Sequence, residues 1–100
     1  MKVHPGEVLQ LSDIADLDAE TAESMRNEVQ ANLSQSRAIE IDLSQTEFLD
    51  SSGLGGLVSV HSFASSHNGG VPVRVVNPTP VVQQLLELTC LHRLIEIVNR

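Results

Sequence analysis

The sequence predicts one α/β domain with a mostly parallel sheet, and three observations carry that expectation. One hundred residues are the usual size of a single domain. Stretches of helical periodicity alternate along the chain with short strand-like runs. The clearest of those runs, Ala38-Ile39-Glu40-Ile41-Asp42-Leu43, alternates with period two, so Ile39, Ile41 and Leu43 share one face of a sheet.

The elements follow in order. Glu7 to Ser12 sets Leu9 and Leu11 against Val8, Gln10 and Ser12, a short strand near the start. Ala22, Met25, Val29 and Leu33, spaced three, four and four, form the apolar stripe of a helix. Asp18 is its N-cap, because a carboxylate there accepts from the free N-H groups of the first turn, and Glu20 complements the helix dipole. After the Ala38 to Leu43 strand and the connection Ser44 to Asp50, a second helix starts at Ser51 and reaches about His67. Leu54, Leu57, Val60 and Ala64 form its buried face. Asn68-Gly69-Gly70 ends it with residues that accept positive φ, and Val71 to Val76 is the next strand. Thr79 caps a third helix with Pro80 at its first position, carrying Val81, Val82, Leu85 and Leu88. Leu94 to Val98 adds a last short strand. The order β-α-β-α-β-α-β implies right-handed crossovers and a mixed, mostly parallel sheet of four to five strands with three to four helices packed on it.

Composition narrows the function. A net charge of -7 with only six Lys and Arg argues against nucleic acid and anionic membranes, whose binding needs clustered cations, and favours a basic or mixed-charge protein partner. No run approaches a membrane span and the first residues lack the apolar region of a secretory signal, so a cytoplasmic location is expected. With no Trp or Tyr and only Phe48 and Phe63, the core is aliphatic and leaves no large cavity for a cofactor. His4, His61, His67 and His92 have no ligand spacing with Cys or carboxylates, so no metal site is expected. The lone Cys90 reads as a small buried hydrophobe, and Phe63 as an exposed contact half a turn from its helix's apolar face.

Asp50-Ser51-Ser52-Gly53-Leu54-Gly55-Gly56 joins a strand-like run to an apolar-periodic helix, which by itself is how a capped helix begins. Three glycines in four residues alter that reading, since each weakens a helix by about 1 kcal/mol relative to Ala. A bare backbone there lets another chain lie close to the turn.

The run from Ile39 to Gly55, IEIDLSQTEFLDSSGLG, resembles the signature of STAS domains, the family that includes bacterial anti-sigma factor antagonists. Asp16-Leu17-Asp18 before Thr21-Ala22, Asn77-Pro78, and the closing segment at residues 86 to 91 extend the resemblance over nearly the whole chain. Ala15 and Cys90 stand where the family commonly has Gly, and little length precedes Glu7 for the strand that usually opens the fold. The resemblance implies a STAS-like fold in one domain, residues 1–100. It implies that Ser51 is phosphorylated by an anti-sigma factor that is also a serine protein kinase, and that a cognate phosphatase resets it. It implies a partner-binding surface of Asp18, Asp50, Ser51, Ser52, Gly53, Leu54 and Gly55, with Ser52 as a capping hydroxyl. The same fold also serves as a non-switching subunit of chemosensory, stress-signalling or lipid-transport complexes. Enzymatic activity is not expected: Leu49 occupies the place where a nucleophile elbow needs Gly, and no Gly-Lys-Ser/Thr phosphate loop is present.

Overall fold

Handedness decides the layout of this chain. The computed structural model describes all residues 1–100. The elements are β1 (Lys2–His4), β2 (Val8–Ser12), β3 (Asp16–Leu17), α1 (Ala19–Asn32), β4 (Ala38–Asp42), β5 (Phe48–Leu49), α2 (Ser51–Ser65), β6 (Val73–Val76), α3 (Pro80–Leu88) and β7 (Glu96–Val98). Short 3-10 turns occupy Leu33–Gln35 and Leu91–Arg93. The main sheet runs β1-β2-β4-β6-β7, with β1 antiparallel and the other four strands parallel. The crossovers from β2 to β4, β4 to β6 and β6 to β7 all step in one direction. Crossovers of one hand that never reverse direction put their helices on one face of the sheet.

The strand sequences match that one-sided cover. Leu9, Ile39 and Val73 lie in register across the sheet, as do Leu11, Ile41, Val75 and Ile97. These residues join Met25, Val29, Leu57, Val60, Ala64, Val82 and Leu86 of the three helices in a single apolar core. The alternate positions line up as Gln10, Glu40, Arg74 and Glu96 on the uncovered face. Glu40 lies at the centre of this polar row, its side chain only 8% exposed. Arg100 donates to it through both terminal nitrogens, at 3.1 and 2.5 Å, Gln10 Nε2 donates at 3.3 Å, and Arg74 Nη1 lies 3.6 Å away. Arg100 thereby holds the Glu40 carboxyl below its usual range, by hydrogen bonding first and by charge second.

The elements expected from sequence are present, with several changes, and the last two strands begin two residues later than expected, at Val73 and Glu96. The first strand exists as β1, three residues long and folded back on β2 across the turn at Pro5 to Glu7. Phe63 is half-buried and packs against the core, because α2 lies close enough to α1 to cover that side of the helix. Cys90 is exposed, not buried. It takes φ of +61° just after α3, a left-handed position where glycine is the unstrained residue, which explains the glycine that the family pattern favours there. The second helix ends at Ser65, two residues short of His67, and Asn68, Gly69 and Gly70 do adopt positive φ after it.

Removal of the Arg100 guanidinium tests the polar row. Arg100→Ala is expected to destabilise the domain at pH 7, because it removes the two donors that Glu40 accepts from. Because the Glu40 pKa is lowered on folding, its contribution is complete above the ordinary carboxyl value of 4.5 and fades as pH falls through the lowered folded value. Urea denaturation should therefore show the wild type losing more stability than Arg100→Ala between pH 6 and pH 3.

Candidate functional site

Two helices begin side by side, and a two-stranded sheet aligns them. Strands β3 and β5 pair in parallel, Asp16 with Phe48 and Leu17 with Leu49. The next residue but one on each chain side starts a helix, so Asp18 and Asp50 come to neighbouring positions as the N-caps of α1 and α2. Both are extended in backbone and use the same hydrogen bond. Asp18 Oδ1 accepts from Thr21 N-H at 3.0 Å, and Asp50 Oδ1 accepts from Gly53 N-H at 2.9 Å. The Thr21 N-H bond is the main cause that lowers the Asp18 pKa, so this cap stays ionised in mildly acidic solution.

Ser51 and Ser52 are the first two residues of α2, and both are exposed. Neither hydroxyl forms a hydrogen bond within the chain, as the side-chain bonds of this turn belong to Asp50. Ser52 therefore does not cap the helix: the carboxylate one residue ahead of Ser51 already takes the amide that a capping hydroxyl would need. Leu54 is half-buried against the core, with part of its side chain at the surface.

The glycines separate by purpose. A Cβ on Gly53 would run into the Leu17 carbonyl and lie 2.8 Å from Leu49 Cδ1, and one on Gly56 would lie 2.7 Å from Ala22 Cβ. Both are required for the close packing of α2 on β3 and α1. Gly55 has nothing within 4 Å and faces outward. It lines an open groove of about 310 Å³ between the helices, together with Ala19, Ala22, Arg26, Ser52 and Ser59. Of the partner-surface residues expected from sequence, Asp18, Asp50, Ser51, Ser52 and Gly55 are thus gathered at one surface, Leu54 contributes an edge, and Gly53 lies beneath it.

Two residues here escaped the sequence reading. Arg26 is the single Lys or Arg on α1 and α2, forms no ion pair, and reaches the groove from one turn below Ala22. Its spacing of four from Ala22 was the available signal. Thr46 is fully buried under the site, and its partner is 32 residues away in sequence, so no local pattern marks it. No three His, Cys, Asp or Glu side chains are placed to hold a metal ion, and no helix is long and apolar enough to cross a membrane.

A family model described as "Mlab, STAS domain" matches residues 3–97. The chain belongs to the STAS family. Among solved structures, this STAS domain is similar to a Thermotoga maritima protein provisionally described as an anti-sigma factor antagonist. The identity is 27%, the TM-score is 0.82, and 99% of this chain and 86% of that one are covered. It also shares its fold with the anti-sigma factor antagonist SpoIIAA in the unphosphorylated form, at 18% identity and a TM-score of 0.70, with the same coverage.

The glycine assignment is open to direct test in this STAS domain. Gly55→Ala is expected to raise stability by about 0.5–1 kcal/mol, as a helix interior gains from losing glycine where space is free. Gly53→Ala and Gly56→Ala should instead lower it by roughly 1–3 kcal/mol, the usual range for overpacking. Thermal and urea denaturation of the three variants would separate the two classes.

Proposed function

We propose that this STAS domain is an anti-sigma factor antagonist that docks through the start of α2 and is switched off by phosphorylation of Ser51. The observation that carries the reading is the state of that serine. Its hydroxyl is exposed, has no partner within the chain, and stands on the first residue of a helix whose cap is already made by Asp50. Similarity to proteins described as anti-sigma factor antagonists supports an anti-sigma factor as the partner, and on this proposal that factor is also a serine kinase. That kinase would move the γ-phosphoryl group of ATP to Ser51 Oγ, releasing ADP and the hydroxyl proton, and a phosphatase would hydrolyse the ester. Such a cycle belongs in a bacterial cytoplasm.

Charge supplies the direction of the switch. Phosphorylation adds about -1.5 to -2 charges at a helix N-terminus, which tolerates an anion, so the fold should persist. The surface around it already carries Asp16, Asp18 and Asp50, all drawn together by the β3–β5 pairing. A docked partner would have to bury the new dianion beside these carboxylates. Binding should weaken for that reason.

A second reading, docking without turnover, is favoured by one observation. Gly53 and Gly56 serve internal packing, so only Gly55 is left as bare backbone for a partner that must bring a nucleotide close.

The two readings part in one experiment. On the switching reading, Ser51→Ala binds the cognate anti-sigma factor at least as tightly as wild type while Ser51→Asp binds at least tenfold more weakly, about 1.4 kcal/mol. Phosphopeptide mass spectrometry after incubation with that factor and ATP should place phosphate on Ser51. Equal affinity of wild type and Ser51→Asp by calorimetry would instead establish the docking subunit.

A further inference from the structure

Of the three polar residues that the fold buries, Ser36, Glu40 and Thr46, only Thr46 is fully enclosed. Its Oγ1 donates to the Ile14 carbonyl at 2.6 Å, its N-H donates to the Leu43 carbonyl at 3.2 Å, and its own carbonyl accepts from Thr79 Oγ1 at 3.2 Å. Thr79 is also the cap of α3, accepting from Val82 N-H. One residue therefore ties the approach to β3, the approach to β5 and the start of α3.

The bonds continue outward from Thr46 in an unbroken series. The N-H groups of Glu47 and Phe48 donate to the Ala15 carbonyl at 2.9 and 3.3 Å. The β3–β5 pairs Asp16 with Phe48 and Leu17 with Leu49 come next, and then the two caps, Asp18 and Asp50. Two-residue strands are too short to hold a register by themselves. A slip of one residue would move Asp18 away from Asp50 and turn Leu17, now buried, toward solvent.

We infer that Thr46 is a positioning residue: its buried hydroxyl fixes the register of β3 on β5 and so the placement of Asp18 beside Asp50 and Ser51. The inference rests on the proposed docking role only for its functional consequence. The register itself is a property of the free domain. Thr46→Val keeps the shape and removes the donor, leaving the Ile14 carbonyl unpaired in a dry site, whereas Thr46→Ser keeps the donor.

The test uses the free domain and amide hydrogen exchange by NMR. In Thr46→Val, the amides of Thr21, Phe48 and Gly53 should exchange at least about tenfold faster while those of β4 stay as protected as in wild type. The Asp18 carboxyl should titrate closer to its ordinary value, because its Thr21 bond is loosened. Thr46→Ser should match wild type in both respects. A folded Thr46→Val with unchanged cap amides and unchanged Asp18 titration overturns the inference, and so do loosened caps in Thr46→Ser. If Thr46→Val does not fold, wild-type exchange decides: Glu47, Phe48, Thr21 and Gly53 must open as one unit, and independent opening refutes the assignment. Equal partner affinity of wild type and Ser51→Asp would remove the switch without touching these results.

Discussion

The right-handed crossover is the constraint on which this molecule depends. Because β2, β4, β6 and β7 succeed one another across the sheet without a reversal, α1, α2 and α3 share one face and begin at one end, where the parallel strands finish. Three helix caps, Asp18, Asp50 and Thr79, are brought to that end by topology alone. No long-range attraction between acidic residues is needed to gather them, and none would be available. The pairing of β3 with β5 refines a placement that the crossovers have already made coarse.

One-sided cover has a cost on the opposite face. A parallel sheet usually hides both faces beneath helices, yet here the second is left to Gln10, Glu40, Arg74, Glu96 and Arg100. Glu40 is nearly buried without an apolar layer above it, with the guanidinium groups of Arg100 and Arg74 and the Gln10 amide set against its carboxylate. Every buried side-chain polar atom in the chain finds a partner. The charged cover substitutes for a missing layer, and it does so with residues that lie far apart in sequence.

What the sequence makes legible is what short-range rules govern. The stripe Ala22, Met25, Val29 and Leu33, the alternation through Ile39, Ile41 and Leu43, and the caps Asp18 and Thr79 are each decided within a few residues, and the structure has each of them. Strand β1 was invisible because three residues carry no period, and β3 and β5 because two carry even less. The burial of Phe63 depends on how near α1 approaches, which Gly56 and Ala22 set from different helices. Cys90 is exposed although it is hydrophobic, because its position is governed by the left-handed backbone conformation that ends α3. At the candidate site, the acidic and serine residues were legible from motif and capping, whereas the separation of Gly55 from Gly53 and Gly56 needed three dimensions.

That separation has a bearing on how such a surface can change over time. Ser51, Ser52 and Gly55 are exposed, and no internal hydrogen bond of their side chains holds the domain together. Gly53 and Gly56, interleaved with them, are locked by sterics. Natural proteins tolerate drift wherever it does not push stability below threshold. The outward positions of this turn are therefore free of the folding constraint that governs their immediate neighbours. Variation there among descendants would record changes of partner and little else, so a single helical turn carries two histories, one of packing and one of recognition.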